Sequence, residues 1–246
     1  MSELVFIGTS DAFGAGGRRQ SAILLRAPGG GVMLDCGMTT ATGLAEVGID
    51  RNEIDSILVS HFHGDHYGGI PTILLAMLYA DARRDSLRIA GPPGVEERVR
   101  RLARAMGYSL EEQEWSFPIS FVEYSLSTAA EVGPVAVRAF ETRHSPHTCP
   151  HGLIVDAGPL KVAYSGDTGW FDDLPREVGE ANLFVSECTY HGGEGFGLHL
   201  THAQLVEHRD EFHCGRMILT HLGEEMVDYR DACEFETADD GLVVDL

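Results

Sequence analysis

The sequence predicts an α/β fold of two sheets covered by helices. Three observations point there. Short apolar runs of strand type come in groups, with helices interspersed in each half, instead of one strict strand–helix alternation. The 246 residues are 43% hydrophobic and 23% charged, ordinary globular usage for a single domain over 1–246. Clusters of histidine and aspartate follow directly on several of the strands.

Leu4–Ile7, Ala22–Leu25 and Val32–Leu34 read as strands separated by Gly-rich turns. A short helix is expected over Thr39–Val47, then a strong strand over Ile54–Ser60. An apolar helix follows at Ile70–Tyr79 and a strand at Leu87–Ala90. Gly91-Pro92-Pro93 is read as opening a helix that runs to about Met106, because proline suits the first helical turn. Val95, Val99, Leu102 and Met106 fall on one face of it. Further strands are expected at Ile119–Tyr124, Val135–Glu141, Leu153–Val155, Lys161–Tyr164, Leu183–Val185 and Met217–Leu219, with a helix at His202–Phe212. Ala238–Gly241 reads as a turn into a last strand, Leu242–Val244.

The charge is lopsided. Eighteen basic residues face 38 acidic ones, for a net charge of −20, and Lys161 is the only lysine. That argues against a protein that wraps nucleic acid electrostatically. Much of the excess lies in 224–246, which holds nine acids and one arginine. Seven arginines fall at 83, 84, 88, 98, 100, 101 and 104. They are read as a solvated helix face with Glu96–Arg100 and Glu97–Arg101 pairs, in preference to an anion contact. The N-terminus lacks a signal peptide's basic start, and no apolar stretch approaches the ~20 residues of a membrane span. Five cysteines without a C-x-x-C pair suit a reducing, cytoplasmic setting.

The twelve histidines are clustered: three in 61–66, three in 144–151 and six in 191–221. Ser60-His61-Phe62-His63-Gly64-Asp65-His66 puts four candidate metal ligands, His61, His63, Asp65 and His66, into six residues after a strand. Imidazole and carboxylate are ligands that zinc accepts readily. A loop that merely capped the next helix would not need four costly polar groups.

This run resembles the metallo-β-lactamase superfamily, and its continuation through Tyr67-Gly68-Gly69-Ile70-Pro71 is similar to the ribonuclease Z branch. The resemblance implies an αβ/βα four-layer sandwich. It assigns Asp35, in Leu34-Asp35-Cys36-Gly37, to support of the metal site from behind the ligands. It makes His144 a ligand, with His147 and His151 as alternatives, and Asp167, in Ser165-Gly166-Asp167-Thr168, the carboxylate between two metals. His221 after Thr220 would be the last ligand. Glu187-Cys188-Thr189 and His199-Leu200-Thr201 are similar to paired branch motifs, although Ser186, Cys188 and Leu200 depart from them. There His199 would protonate the leaving group and Glu187 would orient it. Leu153 also departs from the branch, which often has tyrosine there.

The resemblance thus implies a hydrolase with two divalent ions, zinc first, with manganese or iron able to use the same ligands. Catalytic roles fall to Asp65, His199 and Glu187, and the nucleophile would be hydroxide activated between the cations. A small phosphodiester is the favoured substrate. Only 22 residues separate His144 from Asp167, too few for the RNA-gripping arm that tRNA-processing members usually carry there. Ribonuclease Z proper, a lactonase or other ester hydrolase, and a catalytically silent metal-binding domain are the alternatives. No membrane partner is expected, and a homodimer is admitted. The Gly-rich loop around Gly14, Gly16 and Gly17 reads equally as a mobile substrate-facing loop or an ordinary turn, and the four glycines of 191–197 suggest a flexible segment beside the site that could gate access, with a plain connector as the alternative. Trp170 and Phe171 are read as core residues before base-stacking ones.

Overall fold

The computed structural model describes residues 2–193 and 195–246. In chain order its strands are β1 Glu3–Gly8, β2 Ala22–Ala27, β3 Gly30–Leu34, β4 Ile54–Leu58, β5 Leu87–Gly91, β6 Ile119–Glu123, β7 Ala130–Val132, β8 Val135–Glu141, β9 His151–Asp156, β10 Lys161–Tyr164, β11 Leu183–Glu187, β12 Met217–Thr220, β13 Glu236–Thr237 and β14 Val243–Asp245. Its helices are α1 Thr40–Glu46, α2 Gly64–Tyr67, α3 Ile70–Tyr79, α4 Val95–Ala105, α5 Leu174–Val178, α6 His202–Glu207 and α7 Glu224–Tyr229.

Two seven-stranded sheets result, in the orders β14-β1-β2-β3-β4-β5-β6 and β13-β12-β11-β10-β9-β8-β7. Each begins as an antiparallel meander and continues as parallel strands. The alternation along β1 shows the layering. Leu4 and Phe6 enter the core between the sheets, while Val5 and Ile7 enter the core beneath α1, α3 and α4. Burial on both faces is why these strands read as unbroken apolar runs. In the second sheet Val162 and Tyr164 face the first sheet, and Ala163 faces Leu174, Leu205 and Met226 of α5, α6 and α7. The order helices–sheet–sheet–helices is the αβ/βα sandwich that the sequence predicts.

Register puts the polar clusters together. Leu34 pairs with Leu58, so Asp35 arrives beside Ser60. Glu187 pairs with Thr220, so Glu187 arrives beside His221. The carboxyl ends of β3, β4, β8, β10, β11 and β12 all deliver polar residues to one edge of the sandwich, where parallel strands commonly bind ligands. Two of the delivered residues, Asp35 (φ 58°) and His221 (φ 54°), lie in the left-handed region that side chains rarely adopt.

Several boundaries differ from expectation. Pro92 and Pro93 stand outside α4, because Gly94 at φ 88° caps it and the helix starts at Val95. The helix expected to Phe212 ends at Glu207, and a separate 3-10 turn covers Arg209–Glu211. The break falls at His208, whose ring stacks on Trp170 at 3.9 Å. Arg83 is not on a solvated face: it is buried and donates to the Asp85 and Ser86 carbonyls. Arg100 pairs with Glu96 as expected; among the described residues no Glu97–Arg101 pair forms. Phe171 is core. No helix of the described residues is long and apolar enough to cross a membrane.

Candidate metal centre

Ser60, His61 and His63 follow the end of β4; His63 is extended at φ −79°, and the chain then enters, at Gly64, α2, which carries Asp65 and His66. His144 follows β8, Asp167 follows β10 and His221 follows β12. Seven side chains from four strand ends therefore converge, and they do so around Asp167.

Asp167 Oδ2 lies 3.6 Å from His61 Nε2 and 3.7 Å from His144 Nε2. Nδ1 of His63 is 3.1 Å from the first of these nitrogens and 3.0 Å from the second. Asp167 Oδ1 lies 3.2 Å from His66 Nε2 and 3.5 Å from His221 Nε2. Asp65 Oδ2 is 3.2 Å and 3.4 Å from the same two nitrogens. A four-coordinate ion about 2.0–2.1 Å from each ligand needs ligands about 3.3–3.4 Å apart. Two such groups, sharing Asp167, are present: His61, His63, His144 and Asp167, and Asp65, His66, Asp167 and His221.

The far nitrogens explain why these lone pairs face inward. His66 Nδ1 donates to Asp35 Oδ2 at 2.7 Å, and His61 Nδ1 meets Ser60 Oγ at 3.0 Å. His144 Nδ1 donates to the Leu198 carbonyl at 2.8 Å, and His221 Nδ1 to Thr189 Oγ1 at 2.9 Å. Each outer bond fixes the tautomer that leaves Nε2 free to accept a cation. Asp35 itself accepts from Ser60 N, Ser60 Oγ and Tyr164 OH, all at 2.7 Å. His66 Nε2 and Asp167 Oδ1 are buried yet make no hydrogen bond, an expensive arrangement that a bound ion would relieve.

Charge is unbalanced in the same sense. Burial would lower His66, but the Asp167, Asp65 and Asp35 carboxylates outweigh it and hold the ring well above its usual value. Burial lowers His61, His63 and His144, reinforced by their neighbouring rings. Burial would raise Asp167, yet His221, His66 and His61 hold it well below the carboxylate range. The carboxylates thus favour positive charge between them, which a metal ion would supply.

Of the three candidate histidines, His144 is the one placed in the ligand cluster. His147 is exposed, with its ring 6.2 Å from that of His63. His151 turns towards Tyr124 and donates to the Cys149 carbonyl. Beside the cluster, Glu187 Oε1 accepts from Thr168 N at 2.7 Å and from His199 Nδ1 at 2.9 Å. Its Oε2 accepts from Thr189 Oγ1 at 2.9 Å. Glu187, His199 and His221 also lie close enough to hold an ion, but these bonds already occupy both Glu187 oxygens and Nδ1 of both rings, so a proton-carrying pair is the better description. Burial would lower His199; Glu187 overcomes it and the ring is pushed up to about 9. His199, His63, Asp65 and His221 line a cavity of about 480 Å³.

The profile of the family described as Anti-Pycsar protein Apyc1 matches residues 2–239. The chain belongs to that family. Apyc1 of Bacillus phage BSP38 is 25% identical over 238 residues, covering 93% of this chain and 91% of the phage protein. Ribonuclease Z of Methanothermobacter thermautotrophicus is 27% identical over 268 aligned positions, covering 90% of this chain and 87% of that protein. Ribonuclease Z of Methanosarcina acetivorans is 31% identical over 159 residues, 65% of this chain, and the match spans only half of that protein's length. Among solved structures, the metallo-β-lactamase fold protein YhfI from Bacillus subtilis aligns over the whole of both chains with a TM-score of 0.79 at 20% identity. Human tRNase Z, short form, gives 0.79 at 22% over 99% of this chain and 98% of its own. The metallo-β-lactamase fold is thereby shown, as the resemblance implies.

The departures of this Apyc1-family chain from the ribonuclease Z motifs have a physical reading. Cys188 and Leu200 are fully buried among Phe184, Leu205 and Leu219, so hydrophobic fit governs them. Ser186 Oγ bonds the Glu187 carbonyl. Four contributors carry no role in the sequence reading: Ser60, Tyr164, Thr189 and the Leu198 carbonyl. Tyr164 and Thr189 had a signal, a polar tip next to a ligand motif; the Leu198 carbonyl had none.

Proposed function

We propose that this chain is a two-metal hydrolase of small phosphodiesters. The observation that carries it is Asp167, whose two oxygens face two separate ligand groups, with the His199–Glu187 pair beside them. The donor sets, three imidazoles plus one carboxylate and two imidazoles plus two carboxylates, suit zinc. When bound, such ions acidify water towards neutrality and offset the charge of the reacting phosphate.

The chain's own groups then have distinct tasks. Asp167 holds the two ligand groups at one spacing. Asp65 Oδ2 faces His66 Nε2 and His221 Nε2 at 3.2 and 3.4 Å, and its other oxygen takes no hydrogen bond among the described residues, so it can orient the attacking water. His199 carries its proton at neutral pH, with Nδ1 anchored on Glu187, and delivers the other to the leaving oxygen. Glu187 holds that ring in place.

A small diester is favoured over a large RNA on two counts. Asp11, Glu224 and Glu225 stand among the cavity-lining residues, which include no lysine or arginine among the described residues. Residues 145–166 form a 3-10 turn and the strands β9 and β10, so no long arm projects between His144 and Asp167. The test is a screen of the zinc-loaded chain on bis(4-nitrophenyl) phosphate, cyclic nucleotides, lactones and a transfer-RNA precursor. Fastest turnover on the small diesters is expected. Faster cleavage of the precursor, or of lactones, would replace the reading, and a metal-replete protein inert on all four would reduce it to a binding domain.

A further inference from the structure

The cavity over the metal centre has a wall that bond cleavage does not use. Phe13 lines it beside His63, His199 and His221, on the loop between β1 and β2. Its side chain is 94% exposed, more than any other large apolar residue among the described ones. A phenyl ring left in water forgoes the stabilisation that burial would bring. A ring at a loose loop tip would call for no account, but this loop is built. Asp11 Oδ1 accepts from Phe13 N at 3.0 Å, Ala15 N at 3.2 Å and Ser10 Oγ at 3.0 Å. Gln20 Nε2 donates to the Ala12 carbonyl at 3.0 Å. Gly16 N donates to the Glu224 carboxylate at 3.2 Å, which ties the loop to α7. Gly16, at φ 62°, lies so close to Val227 that an added Cβ would meet its Cγ1 at 2.8 Å. The backbone on both sides of Phe13 is thus fixed, and the ring is presented to the cavity.

The lining also says what Phe13 can present itself to. Apart from the metal centre, the charged groups of the cavity among the described residues are Asp11, Glu224 and Glu225, with no cation. The half of a substrate remote from the reacting phosphate therefore gains nothing there from a second negative charge. It gains from an apolar, polarisable ring face.

We infer that Phe13 is the specificity-determining residue for the non-reacting half of the substrate, which carries a planar nucleobase-like or aryl ring stacked on the phenyl face. The inference rests on the phosphodiesterase reading above. It assigns Phe13 no part in bond cleavage.

Stacking of a base on an aromatic side chain corresponds to about a 5- to 100-fold loss on alanine substitution. The experiment compares the zinc-loaded full chain with Phe13→Ala, Phe13→Leu and Phe13→Tyr on two substrates. One is a nucleoside 3′,5′-cyclic phosphate; the other is the same cyclic phosphate of 1-O-methylribose, which has no base. Calorimetric titration with a nucleoside 3′,5′-cyclic phosphorothioate gives binding apart from turnover. The expected result is that Phe13→Ala lowers the ratio of the two kcat/KM values about 5- to 100-fold through KM and weakens phosphorothioate binding by a similar factor. Phe13→Tyr should restore both, and Phe13→Leu should restore them only in part. If the wild type hydrolyses both substrates and the ratio does not respond to Phe13→Ala, the inference fails while the phosphodiesterase reading stands. If the wild type hydrolyses neither, both fail. An equal loss on both substrates, through kcat, would make Phe13 merely structural and overturn the inference.

Discussion

Asp35→Asn tests whether the outer hydrogen bonds hold the ligands in place. Asparagine is close to isosteric and tolerates the left-handed backbone at φ 58° at least as well as aspartate, so backbone strain does not confound the result. Four donors converge on this carboxylate at 2.7 Å: Ser60 N on Oδ1, and Ser60 Oγ, His66 Nδ1 and Tyr164 OH on Oδ2. An amide in the best orientation keeps its oxygen on the last three and turns its NH2 towards the Ser60 N–H. Three bonds lose their charge assistance, about 1 kcal/mol each, and the fourth is replaced by two facing donors. The total is about 3–5 kcal/mol. At about 2–4 °C per kcal/mol for a chain of this size, that lowers Tm by roughly 6–20 °C. His66 loses the partner that fixes its ring, and affinity for the metals should fall about 10- to 100-fold. Thermal melts of the zinc-loaded protein and titration against a chromogenic chelator read the two effects separately. A Tm within 2 °C of wild type together with unchanged metal affinity would refute the reasoning.

Further expectations concern single groups. Gly166 sits at φ 55°, where an added Cβ would meet the His151 carbonyl oxygen at 2.7 Å and Ser60 Cβ at 2.9 Å; Gly166→Ala should cost about 2–4 kcal/mol in denaturant melts and lower metal content by displacing Asp167. His199→Ala should lower kcat about 100- to 10,000-fold on a diester with an alkoxide leaving group, and much less on a 4-nitrophenyl ester, which needs no proton. Glu187→Gln should follow the same pattern more weakly, and both variants should keep their metal by elemental analysis. Burial, chiefly, holds His151 below its usual value. An imidazole lowered in the folded state contributes its full stability above the unfolded value of about 6.5, and that contribution is lost as pH falls from there towards the folded value. Urea midpoints should therefore drop between pH 7.5 and 5.5 by less in His151→Gln than in the wild type, and an equal drop would count against this account of His151.

The strands were legible because burial on both faces writes them as unbroken apolar runs, as in Ala22–Leu25. Short elements were not. Glu236–Thr237 carries no periodicity to detect, and α5 spans only Leu174–Val178. The end of α6 is set by the stacking of His208 on Trp170, a contact across 38 positions of sequence that no local propensity encodes. The clustering of the candidate ligands was legible because they follow strand ends in a recognisable order. Their outer bonds were not, since Tyr164–Asp35 joins residues 129 apart and the Leu198 carbonyl belongs to any sequence. The acidity changes its meaning once the site is seen. Part of the acid-rich C-terminal stretch, Glu224 and Glu225, lines the cavity, so it bears on which anions enter.

The central claim is that two cations are held on a shared Asp167, and counting them tests it most directly. Metal-stripped protein titrated with zinc, with bound metal read by elemental analysis after gel filtration, should take up two ions per chain. Asp167→Asn should lose tight binding of both, whereas His144→Ala should lose one. A wild type that saturates at one ion, or an Asp167→Asn variant that still holds two tightly, would contradict it.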